Sequence, residues 1–280
     1  MCIRERLFSV PLALLAEIYI SQFAPSRFAI IVKPAIEIMA ALPSVVIGFL
    51  AGLYFSPLFE KNLMMLILLL GAIVVLFLLS VVSWRLIPAN KRAALPQGSE
   101  IVFVMPFMVL AFVAAIYSAG FFESALFGGN INRWLYEAMD INYDQRNSIV
   151  VGFAMGFAVI PIIFTISEDS LSNVPKSLTS ASLALGASRW QTVRRVVLPA
   201  ALGGIFAAVM LGLGRAIGET MIVLMATGNT PIMDMSPFNG FRAMSANIAV
   251  EIPEAPVDGT LYRVLFLTAL MLFIFTFMIN

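Results

Sequence analysis

The sequence predicts an all-helical integral membrane protein, and three observations carry that expectation. Of its 280 residues, 61% are hydrophobic and 12% charged, whereas a soluble domain has roughly half its residues apolar and about a quarter charged. The mean hydropathy is +0.97, more apolar surface than a globule of this size can hide from water. Apolar runs also recur along the whole chain, each near the ~20 residues that a helix needs to cross a bilayer core. This composition excludes an ordinary soluble enzyme, a disordered chain and a disulfide-stapled secreted module.

About seven spans are expected, at 7–24, 43–58, 63–84, 101–122, 148–167, 200–227 and 261–280. The first is interrupted by Glu17 and has no small-residue cleavage site, so it does not read as a signal peptide. The second is short, and the apolar stretch 28–42 before it, with Glu37, reads as a cytoplasmic amphipathic approach. The third and fourth, 63–84 and 101–122, are almost purely aliphatic and aromatic. The fifth, 148–167, carries Pro161, which together with Pro34, Pro43 and Pro199 reads as helix punctuation. The sixth is spaced by Gly203, Gly204, Gly212, Gly214 and Gly218, a pattern that suits close helix packing. That run is no phosphate loop, because it lacks the Lys-Ser/Thr ending and lies in an apolar span. The seventh reaches Asn280 with no basic residue after it.

Histidine is absent and Cys2 is the sole cysteine, which excludes histidine chemistry, Cys-X-X-Cys redox pairs and zinc clusters. No metal site is expected. The formal net charge of +1 offers nothing to nucleic acid. Charge placement is informative instead. The loop 168–199 carries Lys176, Arg189, Arg194 and Arg195 and is expected in the cytoplasm, while 228–260 sets Arg242 against Asp234, Glu251, Glu254 and Asp258 and is expected outside. Alternation then puts 85–100 inside and 123–147 outside, and it also puts Arg4 and Arg6 outside, against the rule. That conflict and the uncharged C-terminus lead to the expectation of a fragment lacking one N-terminal span and a short basic tail.

Residues 174–199, VPKSLTSASLALGASRWQTVRRVVLP, are unusual for a loop between spans. Small, helix-tolerant residues follow Pro175, Gly186 breaks the run, and a basic amphipathic stretch continues to Pro199; two short helices joined at the glycine are expected. Leu183, Ala184, Leu185 and Trp190 offer apolar surface beside Arg189, Arg194 and Arg195, for a membrane surface or a partner.

The glycine, its spacing to Leu198-Pro199 and the run ALGASRW resemble the EAA loop of ABC importer permeases. In GLGRAIGETM at 212–221 with Gly228-Asn229, KPAIEIMAALPSVVIGFLAG at 33–52 and FRAMSANIAVEIPEA at 241–255, the chain resembles the permease subunits of the phosphate-specific importer. The resemblance implies a helical bundle of the type I ABC importer permease type. Its core would be 1–56 and 148–280, and 57–147 would be an insertion with two further spans. It implies that Ala181, Ala184, Leu185, Gly186, Ala187, Arg189, Trp190, Leu198 and Pro199 contact an ATP-binding subunit. The acidic residue that names the loop is missing, since Ser180-Ala181-Ser182 stands there. The implied partners are a second permease subunit, an ATP-binding subunit dimer, an external phosphate-binding protein, phosphate and membrane lipid. ATP and Mg would sit on the ATPase, none on this chain, in the inner membrane. Another oxyanion, molybdate or sulfate, and a non-transporting scaffold in phosphate signalling are the competing readings.

Arg215 and Glu219 lie inside the predicted sixth span, four residues apart and so on one helical face. Charges at membrane depth cost ~2.5 kcal/mol or more each, and they are tolerated facing a bundle interior or an aqueous path. An internal ion pair would satisfy both. The resemblance instead implies an anion pathway in which Arg215 offers forked donors to a tetrahedral oxyanion, Glu219 orients it and Thr220 adds a hydroxyl. The acidic segment 228–260 is expected to hold a short helix around 240–250 and to receive the binding protein.

Overall fold

A computed structural model describes residues 2–88, 90, 99–231 and 236–279, and it leaves the side chains of 2–8, 26 and 27 undescribed. Lys91, Arg92 and Asp234 of the charge pattern lie outside the described residues. Every regular element among the described residues is helical: α1 (Cys2–Gln22), α2 (Ser26–Ala41), α3 (Ser44–Leu50), α4 (Ser56–Lys61), α5 (Leu63–Leu86), α6 (Ser99–Phe127), α7 (Ile131–Met139), α8 (Ser148–Ser172), α9 (Lys176–Ala184), α10 (Arg189–Thr192), α11 (Leu198–Gly218), α12 (Met221–Ala226), α13 (Met244–Glu251) and α14 (Thr260–Ile279). Among the described residues, six stretches are long and apolar enough to cross a membrane: Ser44–Lys61, Leu63–Leu86, Ser99–Met139, Ser148–Ser172, Arg189–Gly218 and Thr260–Ile279. The predicted first span coincides with α1, which is not among the six; its 21 residues include Arg4, Glu5, Arg6 and Glu17. The protein is a multi-pass, all-helical membrane protein.

The chain divides into two compact units, Met1–Leu53 with Arg146–Met235 and Gly240–Asn280, and Tyr54–Gln145 with Ser236–Asn239. The first is organised around α8. More than half of its apolar stretch is buried (56%), against 6–22% for the other five candidates. Asn147 starts it, its side-chain oxygen accepting from the amides of Ile149 and Val150, which satisfies two donors that a helix start leaves open. Inside it, Pro161 has no N–H to give, and its own carbonyl takes the Thr165 hydroxyl. Against α8 pack α1, α2 and α11. At one end Leu171 and Val174 meet Val197, Ala201 and Ile205, with Leu14 and Ile18 of α1 alongside.

Small residues set the distance between α8 and α11. A Cβ on Gly212 would lie 2.7 Å from Ile163, and one on Gly204 would collide with Ser170. Gly203 and Gly218 face open space, so the stripe serves packing on one side only.

In the second unit α5 and α6 form a long antiparallel hairpin whose side chains are mostly exposed, as suits lipid-facing helices. The amphipathic α7 closes it: Ile131 and Leu135 are buried on Leu63 and Met64. Asn130 caps α7, accepting from the Arg133 amide. Phe238 belongs to this unit, its ring 5.5 Å from that of Tyr143 and its carbonyl accepting from the Asp144 amide.

Three expected boundaries are corrected. The approach 28–42 is a helix of its own, α2, ended by the extended Leu42 before Pro43. The second helix of the loop does not stop at Pro199; α10 runs through one π turn, Val193–Val197, into α11. A widened turn just ahead is where a helix accommodates a residue with no N–H. The third correction, the end of the sixth span, bears on function.

Candidate functional site

The predicted single helix 200–227 is broken. α11 ends at Gly218, Glu219 takes an extended conformation (φ −68°, ψ 121°), and α12 begins at Met221. Arg215 and Glu219 therefore do not share a face of one helix, and no ion pair joins them among the described residues. Broken backbone at membrane depth is tolerated where protein groups or water satisfy the freed donors and acceptors. The Glu219 carboxylate takes that role, accepting from the amides of Met221 (3.2 Å) and Ile222 (3.4 Å). A negative group there also complements the positive end of the α12 dipole. Thr220 turns its hydroxyl back to the Gly218 carbonyl, 3.2 Å away, so both residues expected to assist Arg215 are engaged in shaping the break.

A helix of six residues has almost no stability of its own, and α12 is held from three directions. From α13, the Ser245 hydroxyl donates to the Glu219 carbonyl at 3.0 Å. At its far end, the Asn229 side chain donates to the Leu224 carbonyl (3.0 Å), and Asn229 itself sits in the left-handed region (φ 49°). Arg242 fixes that turn: its Nε donates to the Asn229 carbonyl at 2.9 Å, and its Nη1 reaches the Asn247 Oδ1 (3.1 Å) and the Glu251 carboxylate (2.7 Å). From the side come Gly48 of α3 and Gly52 of the π turn Ala51–Phe55 that continues it, where backbone meets backbone. A Cβ on Gly48 would lie 2.8 Å from the Met221 carbonyl oxygen, and one on Gly52 would collide with that of Met225. The expected short helix around 240–250 is thus present as α13, and it buttresses the break.

Arg215 lies in the last turn of α11, exposed, with no hydrogen bond or ion pair among the described residues. The Glu219 carboxylate and the Thr220 hydroxyl beside it are engaged, whereas this guanidinium keeps its donors free among the described residues.

At the other end of α11, the loop adopts the expected helix, turn and helix. Gly186 makes the turn at φ +84°, a conformation that costs an L-residue roughly 1–2 kcal/mol. Ser188 and Gln191 form a reciprocal capping box at the start of α10, and the Ser182 and Thr192 hydroxyls meet at 3.0 Å to join the two arms. Ala181, Ala184, Leu185, Arg189 and Trp190 are exposed, Leu185 by 90%, and Ala187 is half-buried. Leu198 and Pro199 belong to α11 and are not part of this exposed tip.

Glu17 is fully buried between α1 and its neighbours, and neither carboxylate oxygen has a hydrogen-bond partner among the described residues. Glu168, Asp169 and Lys33 are the charges that act on it. Lys33 is ion-paired with Glu168, and that hydrogen bond holds its ammonium above the ordinary lysine range.

Sequence reasoning missed the Arg242–Glu251 pair and the Gly48/Gly52 contact. The small-xxx-small spacing of IGFLAG was the available signal for the latter. Nothing local marks Arg242, because its partners lie five, nine and thirteen residues away.

Residues 98–280 match the family model of binding-protein-dependent transport system inner membrane components. The phosphate transport system permease protein PstC of Haemophilus influenzae is 27% identical over 272 residues, covering 97% of this chain and 67% of that protein. A probable ABC transporter permease protein of Bacillus subtilis, YqgH, is 35% identical over 133 residues, 47% of this chain and 43% of its own length. PstC 1 of Mycobacterium bovis is 40% identical over 119 residues, 41% and 35% of the two chains. The chain thus spans between about a third and two thirds of these relatives. No solved structure matches it.

Proposed function

Because the chain belongs to the binding-protein-dependent transport system inner membrane components, we propose that it is the permease subunit of an ABC importer for inorganic phosphate. The observation that carries this reading is the free Arg215 guanidinium at a break in a membrane helix. A charge at that depth needs either a counter-charge or an aqueous path, and the carboxylate four residues along the chain, Glu219, is engaged in holding α12. A forked, permanently charged donor suits a tetrahedral oxyanion. Binding there has to remain weak enough for release, so capture falls to an external binding protein and Arg215 serves a gated path. Permease proteins named for phosphate transport among the relatives support phosphate over molybdate or sulfate.

The core of the permease is 1–56 and 148–280, with 57–147 an added helical hairpin. It pairs with a second permease subunit. The exposed tip around Leu185 and Trp190 docks on an ATP-binding subunit, whose dimer carries ATP and Mg and whose closure draws the two loops together. The acidic segment 228–260 faces the binding protein.

Arg215→Ala in the assembled transporter is expected to abolish phosphate uptake while assembly and basal ATPase activity persist. Uptake at the wild-type rate overturns the reading. Uptake of sulfate or molybdate in preference to phosphate by the wild type selects the other-oxyanion reading, and no uptake of any of the three selects a scaffold.

A further inference from the structure

A groove of about 300 Å³ runs between α1 and the start of α11. Leu14 and Ile18 form one wall, Leu198, Leu202 and Ile205 the other, and Arg194 also lines it. Leu198, Leu202 and Ile205 share one face of α11, and Arg194, in the π turn just before it, lines the same groove. From Leu198 to Ile205 the apolar face is about 10 Å long at 1.5 Å per residue, which fits within one leaflet, half of the ~30 Å hydrocarbon core. Leu202 is 63% exposed. Arg194 is exposed and has no hydrogen bond or ion pair among the described residues. No acidic side chain lines the groove.

We propose that this groove binds one anionic phospholipid of the cytoplasmic leaflet, with an acyl chain along Leu14, Leu198 and Leu202 and the phosphate on Arg194. The leaflet follows from the basic character of the 168–199 segment, independently of what the transporter carries. Two features favour lipid over a polypeptide occupant. Arg194 precedes the apolar lining residues Leu198 and Leu202 on the side of the basic segment, and Arg195, exposed beside it, adds a second charge that attracts an anionic headgroup and repels the basic flanks of cytoplasmic helix ends. A guanidinium can also hold a phosphate through two parallel donors.

The test uses the transporter complex in nanodiscs of equal parts phosphatidylethanolamine and phosphatidylglycerol, with a trace of either lipid carrying a photoreactive acyl chain. Peptides of α1 and α11 are expected to be labelled about fivefold more by the phosphatidylglycerol probe, the weight of one basic residue at an anionic surface. Arg194→Gln should bring the two probes to parity. Arg194→Lys should keep most of the preference, and Leu202→Trp should lower labelling by both by filling the groove. Equal labelling in the wild type, a preference that survives Arg194→Gln, or quantitative cross-linking of Leu202→Cys to another polypeptide segment overturns the proposal.

Discussion

Replacing Gly48 by alanine tests whether the broken helix is held by backbone contact. The added Cβ would lie 2.8 Å from the Met221 carbonyl oxygen, 2.9 Å from the Ile222 Cα and 3.1 Å from the Met225 Cβ. Carbon contacts are comfortable at about 3.5–4.0 Å, and two of these three obstacles are backbone that no rotamer change can clear. α3 and α12 must separate by roughly half an ångström. Overpacking of this kind costs ~1–3 kcal/mol, offset by the ~0.5–1 kcal/mol that alanine gains over glycine inside a helix. The net loss, up to ~2.5 kcal/mol, corresponds to a fall of up to about 10 °C in melting temperature for a chain of this size. Gly71→Ala is the control: it is also mid-helix, but its Cβ would meet nothing within 4 Å, so only the propensity gain remains. Thermal unfolding of the two purified variants, with phosphate uptake measured alongside, checks this. Uptake should fall further in Gly48→Ala than its stability loss explains, because α12 starts two residues after the break. If Gly48→Ala melts with or above Gly71→Ala, the close contact does not hold α12 and the reasoning fails.

Gly186→Ala meets no atom within 4 Å, so its whole cost, about 1–2 kcal/mol, is the left-handed backbone; Gly186→Asn should cost less, and proteolysis of the loop should rank wild type, Asn, Ala in rising susceptibility. Arg242→Gln leaves Glu251 half-buried without its cation and the Asn229 carbonyl without its donor, a loss of ~1–3 kcal/mol. A double-mutant cycle with Glu251→Gln should return a coupling above about 0.5 kcal/mol, and strict additivity would show the pair to be idle. Glu17→Leu removes two unsatisfied buried oxygens and should raise stability by ~1–3 kcal/mol; a lower melting temperature would mean that its attraction to the nearby Lys33 outweighs their burial.

Much of the fold was legible because its cause is composition. Long aliphatic runs leave lipid as the only accommodating solvent, and Gly186 between two amphipathic stretches can be read locally, because positive φ and a capping box are short-range properties. The break at Glu219 was not legible. The window 200–227 is as apolar after Gly218 as before it, and periodicity carries no signal for a helix that stops because distant groups satisfy its ends. Ser245, Asn229, Arg242, Gly48 and Gly52 hold it from 10 to 171 residues away from Glu219 in the chain. The same non-locality explains why the i, i+4 argument for Arg215 and Glu219 failed although both residues are at the site.

That failure alters how the site must work. If Glu219 neutralised Arg215 along one helix, an arriving anion would have to compete with a carboxylate tethered beside the cation. Instead the carboxylate is spent on two amides of α12, where it is worth about 1 kcal/mol as a cap, and the guanidinium is left free. The two charges are then linked mechanically rather than by direct attraction, since Glu219 sets where α11 ends and therefore where Arg215 stands. Glu219→Gln separates the two schemes. A neutral amide can still accept from Met221 and Ile222, so capping survives and transport should fall only modestly. Glu219→Ala, which uncaps α12, should lose both transport and some stability. If Gln and Ala are equally inactive while both fold, the negative charge of Glu219 is itself required, and the ion-pair scheme has to be restored.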